Sequence, residues 1–471
     1  MPLQCNDACP LPGAEEERRQ PEMRERTEEI RKIKDGDAPQ RGMRYSRTAH
    51  RPNKFIPASG PPWPTLVTLA VALVLASLTL GWAPAAPAPQ LQRGGSGIAS
   101  SGIGPQWTPI PIPANFPAVV SPSMTYQGFN GTSPGPYVFF GGYDPATHLL
   151  SNSTWLVNTS GAIPVCPSGG CGAPSPRWGA ILFHLDSGVS ILYGGCGAAP
   201  KVGANGQLIC AQLDSDLWVF EYNYSVPSAS VWVKESCAGV THPTSALAQG
   251  VGEAISINLG MMAGGETANG SASSQSWEVS NFTLSAGCTP YHLVWTLISS
   301  MPNPEIGGAI VGPLQSPGSS STNDTEFGGA DRIGNAPNAQ GNLLEVNVGM
   351  CPGPLCSSAS VWSPLSAGSS NPPTFEGAAL TSISQYYYLF GGTQGLSPSG
   401  TTYMGRISGS SPGGLAFIWS VDPNLVQAPT ARAYAGYATG WNLLGQPEMI
   451  VCSGMATGSP LTAGSGCWWF G

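Results

Sequence analysis

Arg177, Glu305, Glu376 and Arg432 are the side chains whose type and spacing could do chemistry. Each closes a Pro-x-x-X step that recurs along the chain, and Val120 and Ala246 close the two remaining copies. If six such positions ring one level of a channel, the arginines would hold anionic groups and the glutamates would accept from hydroxyls. A competing reading is structural. Glu376 and Arg432 close consecutive copies and would pair with each other, since a lone ionisable group away from water is costly.

A second set of candidates sits on loops. The stretches 143–153, 196–216, 266–275, 330–342, 393–401 and 455–466 are long and polar, and their placement after equivalent strands puts them on one face. Asp144, Glu266, Asp331 and Arg332 are the charged residues nearest the start of these loops. Cys196/Cys210 and Cys452/Cys467 would bridge two of them, and a bridged loop loses less entropy on binding. The competing reading is a set of solvated surface loops.

Other chemistry finds little support. His148, His184, His242 and His292 are not paired at ligand spacing, and His184 lies in the apolar run ILFHL. The carboxylates are too scattered to propose an acid and base pair. There is no Cys-x-x-Cys with a matching His pair, and GxG-type matches mean nothing in a chain with 62 Gly. No catalytic residue, metal or cofactor is therefore assigned.

The elements that must position these residues are short strands in a repeat. Apolar runs end in Gly141-Gly142, Gly194-Gly195, Gly264-Gly265, Gly328-Gly329, Gly391-Gly392 and Ser453-Gly454, spaced 53, 70, 64, 63 and 62 residues apart. A third strand carries Trp155, Trp218, Trp277, Tyr403 or Trp468-Trp469-Phe470, with Leu343-Leu344 replacing the aromatic in the fourth unit. A fourth strand begins with Trp232, Trp295, Trp362 or Trp419, and Ile163 stands in for it in the first unit. Short strands at this period make a radial array of small sheets. The sixth unit stops at its third strand, and Trp107-Thr108-Pro109-Ile110 supplies the fourth from the other end of the domain. That strand would close the ring and remove its exposed edges. The tryptophans are assigned to packing between blades, outside any site.

The apolar run into Gly-Gly, the later aromatic and the following Trp resemble the kelch motif of β-propellers. The resemblance covers residues 106–471 and implies an all-β, six-bladed kelch-type β-propeller. The family pattern often has Arg near the start of the first strand. Arg177 and Arg432 match it, whereas Glu305 and Glu376 depart from it. Galactose oxidase shares this fold, but its copper site needs convergent Tyr and His ligands with a thioether-forming Cys, and that set is not legible in this chain. Nor are the repeated Ser-x-Asp-x-Gly-x-x-Trp boxes of a sialidase.

Charge places the chain in the cell. Residues 1–62 carry 12 of the 19 Lys and Arg, and residues 83–471 hold 7 basic and 17 acidic side chains, a net of −10. So acidic a domain is a poor partner for nucleic acid. Thr65 to Ala83 is uncharged and long enough to span a bilayer, and Trp63 and Trp82 mark its edges. Arg41, Arg44, Arg47, Arg51 and Lys54 precede it, which predicts a cytoplasmic N-terminus. The expected organisation is a charged cytoplasmic segment at 1–62, a transmembrane helix at 63–83, a Pro/Ala then Gly/Ser linker at 84–105, and an extracellular propeller at 106–471. A cleaved signal peptide is the alternative for the apolar run.

Ten cysteines beyond the span pair locally as Cys166/Cys171, Cys196/Cys210, Cys237/Cys288, Cys351/Cys356 and Cys452/Cys467, which suits an oxidising compartment. Asn130, Asn152, Asn158, Asn223, Asn269, Asn281 and Asn323 open Asn-x-Ser/Thr sequons. The leading expectation is a single-pass cell-membrane protein whose outer propeller binds glycan or protein without catalysis. The rivals are a carbohydrate oxidase or epimerase, which bound metal would favour, and a self-assembling surface component.

Overall fold

The computed structural model describes residues 104–471 apart from 131–132, 167–170, 187, 257, 282–286, 313–321, 338–340, 347–360, 367–373, 385, 409–414, 423–424, 426 and 443–445. The charged segment, the expected span and nearly all of the linker lie outside the described residues, as do Cys351 and Cys356. Among the described residues no helix is long and apolar enough to cross a membrane.

The chain forms a six-bladed β-propeller. Each blade is a four-stranded antiparallel sheet whose first strand lies nearest the axis and whose last lies at the rim. Blade one is Ser123–Tyr126, Tyr137–Phe140, Thr154–Asn158 and Gly161–Cys166; blade two is Ile181–Asp186, Val189–Tyr193, Leu217–Glu221 and Val231–Lys234. Blade three is Val251–Ser256, Leu259–Ala263, Ser276–Asn281 and Leu293–Leu297; blade four is Ala309–Val311, Thr322–Phe327, Gly341–Val346 and Val361–Ser366. Blade five is Glu376–Ile383, Tyr386–Thr393, Thr402–Ser408 and Leu415–Val421. Blade six is Gly436–Trp441, Pro447–Cys452 and Cys467–Phe470, completed by Trp107–Ile110 from the N-terminal end. Trp107 pairs with Phe470 and Ile110 with Cys467, so the ring closes without a covalent joint. The outer strands of blades four and five also touch in parallel at Leu365 and Leu415.

Large aromatics fill the wedges between blades. Trp232 packs on Phe140 of blade one, Trp295 on Tyr193 of blade two, Trp419 on Phe327 of blade four and Trp107 on Phe390 of blade five. Trp362 joins the cluster shared by blades three and four. Each fourth-strand Trp thus reaches back to the preceding blade, and burying such a ring stabilises the fold by roughly 3–5 kcal/mol. Blade one departs from expectation. Ile163 is 53% exposed, and Ala162, opposite Val157, holds the position that Trp occupies elsewhere. Phe116 fills that wedge instead, packed on Phe139 at 5.0 Å and Trp155 at 5.2 Å. Trp218 is only partly buried; its indole donates to Asp216 and Lys234 lies over its ring.

Three of the expected disulfides are formed: Cys196–Cys210, Cys237–Cys288 and Cys452–Cys467. Cys171 is also disulfide-bonded.

Candidate functional site

Two closed cycles of backbone hydrogen bonds hold the blades around the axis. In the inner cycle each N–H donates to the carbonyl of the preceding blade. Ser121 donates to Tyr434, Tyr434 to Gly377, Gly377 to Gly307, Gly307 to Gln249, Gln249 to Gly179 and Gly179 to Ser121, all at 2.7–2.9 Å. All six residues have positive φ, between 48° and 68°. For Ser121, Gln249 and Tyr434 that conformation costs about 1–2 kcal/mol each, which the cycle must offset. In the outer cycle the second residue of each doublet donates onward. Gly142 bonds the carbonyl of Arg177, Gly195 of Leu247, Gly265 of Glu305, Gly329 of Phe375, Gly392 of Arg432 and Gly454 of Val119, at 2.8–2.9 Å. A Cβ on Gly141 would meet the Arg177 carbonyl at 2.6 Å, so the doublet must be free of side chains there.

The outer cycle corrects the expected ring of side chains. The equivalent positions are Val119, Arg177, Leu247, Glu305, Phe375 and Arg432; Val120, Ala246 and Glu376 are each one residue out of step. The preceding Pro is not a ruler, because its distance from the equivalent residue varies between blades. Nor do these side chains line the channel. Arg177 is 1% exposed and donates to the Gly194 carbonyl at 2.8 Å and to both carboxylate oxygens of Asp216, one of them at 3.1 Å. Burial raises the Asp216 carboxyl, but Arg177, Trp218 and Lys234 together outweigh this and hold it below its usual range. Arg432 is 2% exposed and spends its donors on Ser453 O, Gly466 O, Thr430 O and Thr430 Oγ1, not on Glu376.

Glu305 lies beside Glu326 in blade four, and the Asn342 amide donates to Glu326 Oε2 at 2.7 Å. Burial, then the Glu326 charge, keeps Glu305 protonated well above the usual range. Burial pushes the Glu376 carboxyl up to about 7, against the opposing pull of Tyr434 and Gln207. Arg177, Arg432 and Glu305 are therefore blade-interior groups, whereas Glu376 lies at the axis, beside Gly307 and Tyr434 of the inner cycle and Gln207 of the blade-two loop.

The doublet loops do share one face, and the loop of blade two crosses the axis there as a cap. Within the Cys196–Cys210 bridge, Lys201–Val202 and Leu208–Ile209 form a hairpin. Asn205 Nδ2 donates to Gly334 O and Gln207 Nε2 to Asn335 O, both at 3.0 Å, in blade four. Gln249 Nε2 of the inner cycle donates to Leu208 O at 2.8 Å, and Cys210 N–H donates to Glu266 at 3.2 Å. Glu266 is 2% exposed beneath this cap, and burial pushes it up to about 7. On this face the loop of blade two closes the axis. Asp331 and Arg332 remain exposed; Asp331 accepts from Asn335 at 2.7 Å. Asp144 is half-buried and holds its own turn through Ala146 and Thr147.

On the other side of the inner cycle the six first strands enclose a cavity of about 760 Å³. Its wall mixes apolar groups, such as Met124, Ile181 and Ile310, with Ser382, Thr439, His184 and Glu253. Among the described lining residues there is no Lys or Arg. Glu253 stands on the first strand of blade three, half-buried, and lines the cavity. Burial pushes its carboxyl up to about 8, so it is a neutral donor and acceptor at neutral pH. Burial likewise lowers His184 to about 4, more than Asp186 raises it, so the ring is an uncharged imidazole. Tyr437 crosses from blade six to blade four, where its hydroxyl accepts from Ile310 N at 2.8 Å and donates to Ile310 O at 3.2 Å. It satisfies the free inner edge of that blade. Trp441, 36% exposed, stands at the open end. The repeat alone gave no sign of Glu253 or Tyr437 as site residues; a charged residue facing the axis in a first strand was the one signal that could have found Glu253.

Among the described residues no cluster of His, Cys, Asp and Glu is placed to hold a metal ion. No protein-family model and no curated protein matches the chain. The solved structure of YjhT is similar over 75% of this chain and 96% of its own, at 15% identity and a TM-score of 0.47.

Proposed function

We propose that residues 106–471 are the exported, membrane-anchored part of a kelch-type binding protein that holds a neutral carbohydrate in the central cavity without turning it over. The observation that carries this reading is the wall of the cavity. Its volume, about 760 Å³, suits one or two sugar rings. Apolar strands offer surface for the ring faces, and Glu253, Ser382 and Thr439 offer hydrogen bonds to hydroxyls. An acidic sugar would meet no cation there, and Asp186 would repel it.

The anchoring is supported by the uncharged stretch Thr65 to Ala83 and the basic residues before it, and export by the bridged cysteines. The kelch assignment is supported by the doublets and inter-blade tryptophans.

Calorimetric titration of the full chain in detergent with neutral and acidic mono- and disaccharides tests the reading. Saturable binding of a neutral sugar, weakened about tenfold or more in Glu253→Leu, is expected. Binding confined to acidic sugars, or turnover of the bound sugar, would sink it.

A further inference from the structure

Four of the seven sequons have described side chains, and they divide into two kinds. Asn158, Asn223 and Asn269 are exposed. In each, the amide oxygen accepts the backbone N–H of the hydroxyl residue two positions on. Ser160 N donates to Asn158 at 2.9 Å, Ser225 N to Asn223 at 3.0 Å and Ser271 N to Asn269 at 3.0 Å. This turn ties up the oxygen and brings the serine beside the amide, and among the described residues nothing accepts from Nδ2. The turn is local, so it forms without the rest of the propeller and is available to an enzyme that meets the chain before it folds.

Asn152 differs on both counts. Its Nδ2 donates to Pro174 O at 3.3 Å, and its sequon hydroxyl, Thr154 Oγ1, is fully buried as the acceptor of Trp232 Nε1 at 2.9 Å. A sugar there would compete with the link between the third strand of blade one and the next blade.

We infer that Asn158, Asn223 and Asn269 carry N-linked oligosaccharide and that Asn152 does not; the inference rests on the export of residues 106–471 proposed above. The donor is an oligosaccharide joined to a lipid diphosphate. Nδ2 attacks its anomeric carbon, the bond from that carbon to the diphosphate oxygen breaks, the lipid diphosphate leaves, and one amide proton passes to base. Nothing is oxidised or reduced.

The positions decide what the sugars cover. Asn158 and Asn223 stand on turns between third and outer strands of blades one and two, away from the cavity lining. Asn269 stands on the doublet-loop face, where Gly270 O accepts from Ile333 N at 2.8 Å and Ser271 faces Arg332. Its oligosaccharide would stand over the blade-four loop that bears Asp331 and Arg332. The cavity stays open while that part of the capped face is covered.

The test is the full chain expressed in a eukaryotic secretory host. Its sugars are released by an amidase in heavy-oxygen water, which marks each formerly occupied Asn as a labelled Asp, and the peptides are mapped by mass. Marks at Asn158, Asn223 and Asn269 with none at Asn152 are expected, and Asn158→Gln, Asn223→Gln and Asn269→Gln should each remove one oligosaccharide's mass. An unmarked Asn158, Asn223 or Asn269, or a marked Asn152, would overturn the inference. Alkylation of thiols on the same sample separates the causes. Bridged cysteines without sugar defeat this inference and leave export standing; free thiols without sugar defeat both.

Discussion

The backbone N–H of Tyr434 donates to the Gly377 carbonyl at 2.7 Å, and the Tyr434 ring lies where a Cβ on Gly377 would meet it at 2.7 Å. One contact thus fixes the inner cycle between blades five and six and requires a residue without a side chain at φ +67°.

Gly377→Ala should accordingly cost about 2–4 kcal/mol, from αL strain and displacement of the ring. Gly395→Ala, with open space around it, should change stability by about 0.5 kcal/mol or less. Urea unfolding of the two variants checks this; equal stability would remove the inner cycle from the account of what holds the ring.

Glu376 links stability to pH. Its carboxyl holds its proton to about 7 in the folded protein, against an ordinary value of 4.5. Between these values the folded chain binds the extra proton, so stability falls as pH rises and the penalty is complete above pH 7. Glu266, pushed up to about 7, and Glu253, pushed up to about 8, act in the same direction. Glu376→Gln should stabilise the protein at pH 8 by up to about 3 kcal/mol, with little effect at pH 4. Thermal melts across pH 4–8 decide it, and a melting temperature that rises towards pH 8 in the parent would contradict the assignment.

The wedge between blades six and one should depend on Phe116 rather than on Ile163. Phe116→Ala should cost about 3–5 kcal/mol, as should Trp295→Ala, whereas Ile163→Ala should cost about 0.5 kcal/mol or less. Chemical denaturation compares them directly; a large effect at Ile163 would restore the reading made from the repeat.

The cap over the axis should loosen when its bridge is removed. Cys196→Ser with Cys210→Ser opens a loop closed across 14 residues, which the chain-entropy argument puts at about 3 kcal/mol. Lys201 is exposed at the base of the hairpin, so trypsin should cut there faster in the double variant. Unchanged cleavage would show that the contacts with Gly334, Asn335 and Gln249 hold the cap without the disulfide.

The number of blades, the doublets and the closing strand were legible because each is a local pattern repeated in phase. Local spacing also paired Cys196 with Cys210, Cys237 with Cys288 and Cys452 with Cys467. The inner cycle was not legible, because Ser121, Gln249 and Tyr434 carry no sign of αL backbone and only Gly179, Gly307 and Gly377 do. Misplacing Val120, Ala246 and Glu376 by one residue followed from treating Pro as a fixed marker. The cap and the cavity depend on where one loop crosses the axis, a long-range contact that periodicity does not encode. Phe116 was missed for a related reason: it lies outside the repeat and fills a wedge that the repeat leaves to Ala162.

The central claim is that ligand occupies the cavity on the open side of the inner cycle. The most direct measurement is glycan-array binding by the full chain, by Ala254→Trp and Ser382→Trp, each of which fills the cavity, and by Asp331→Ala with Arg332→Ala on the capped face. Melting temperature is recorded for every variant. The account predicts a neutral glycan bound by the parent and the capped-face variant, and lost in a folded cavity-filled variant. A glycan retained when the cavity is filled, or lost with Asp331 and Arg332, would contradict it.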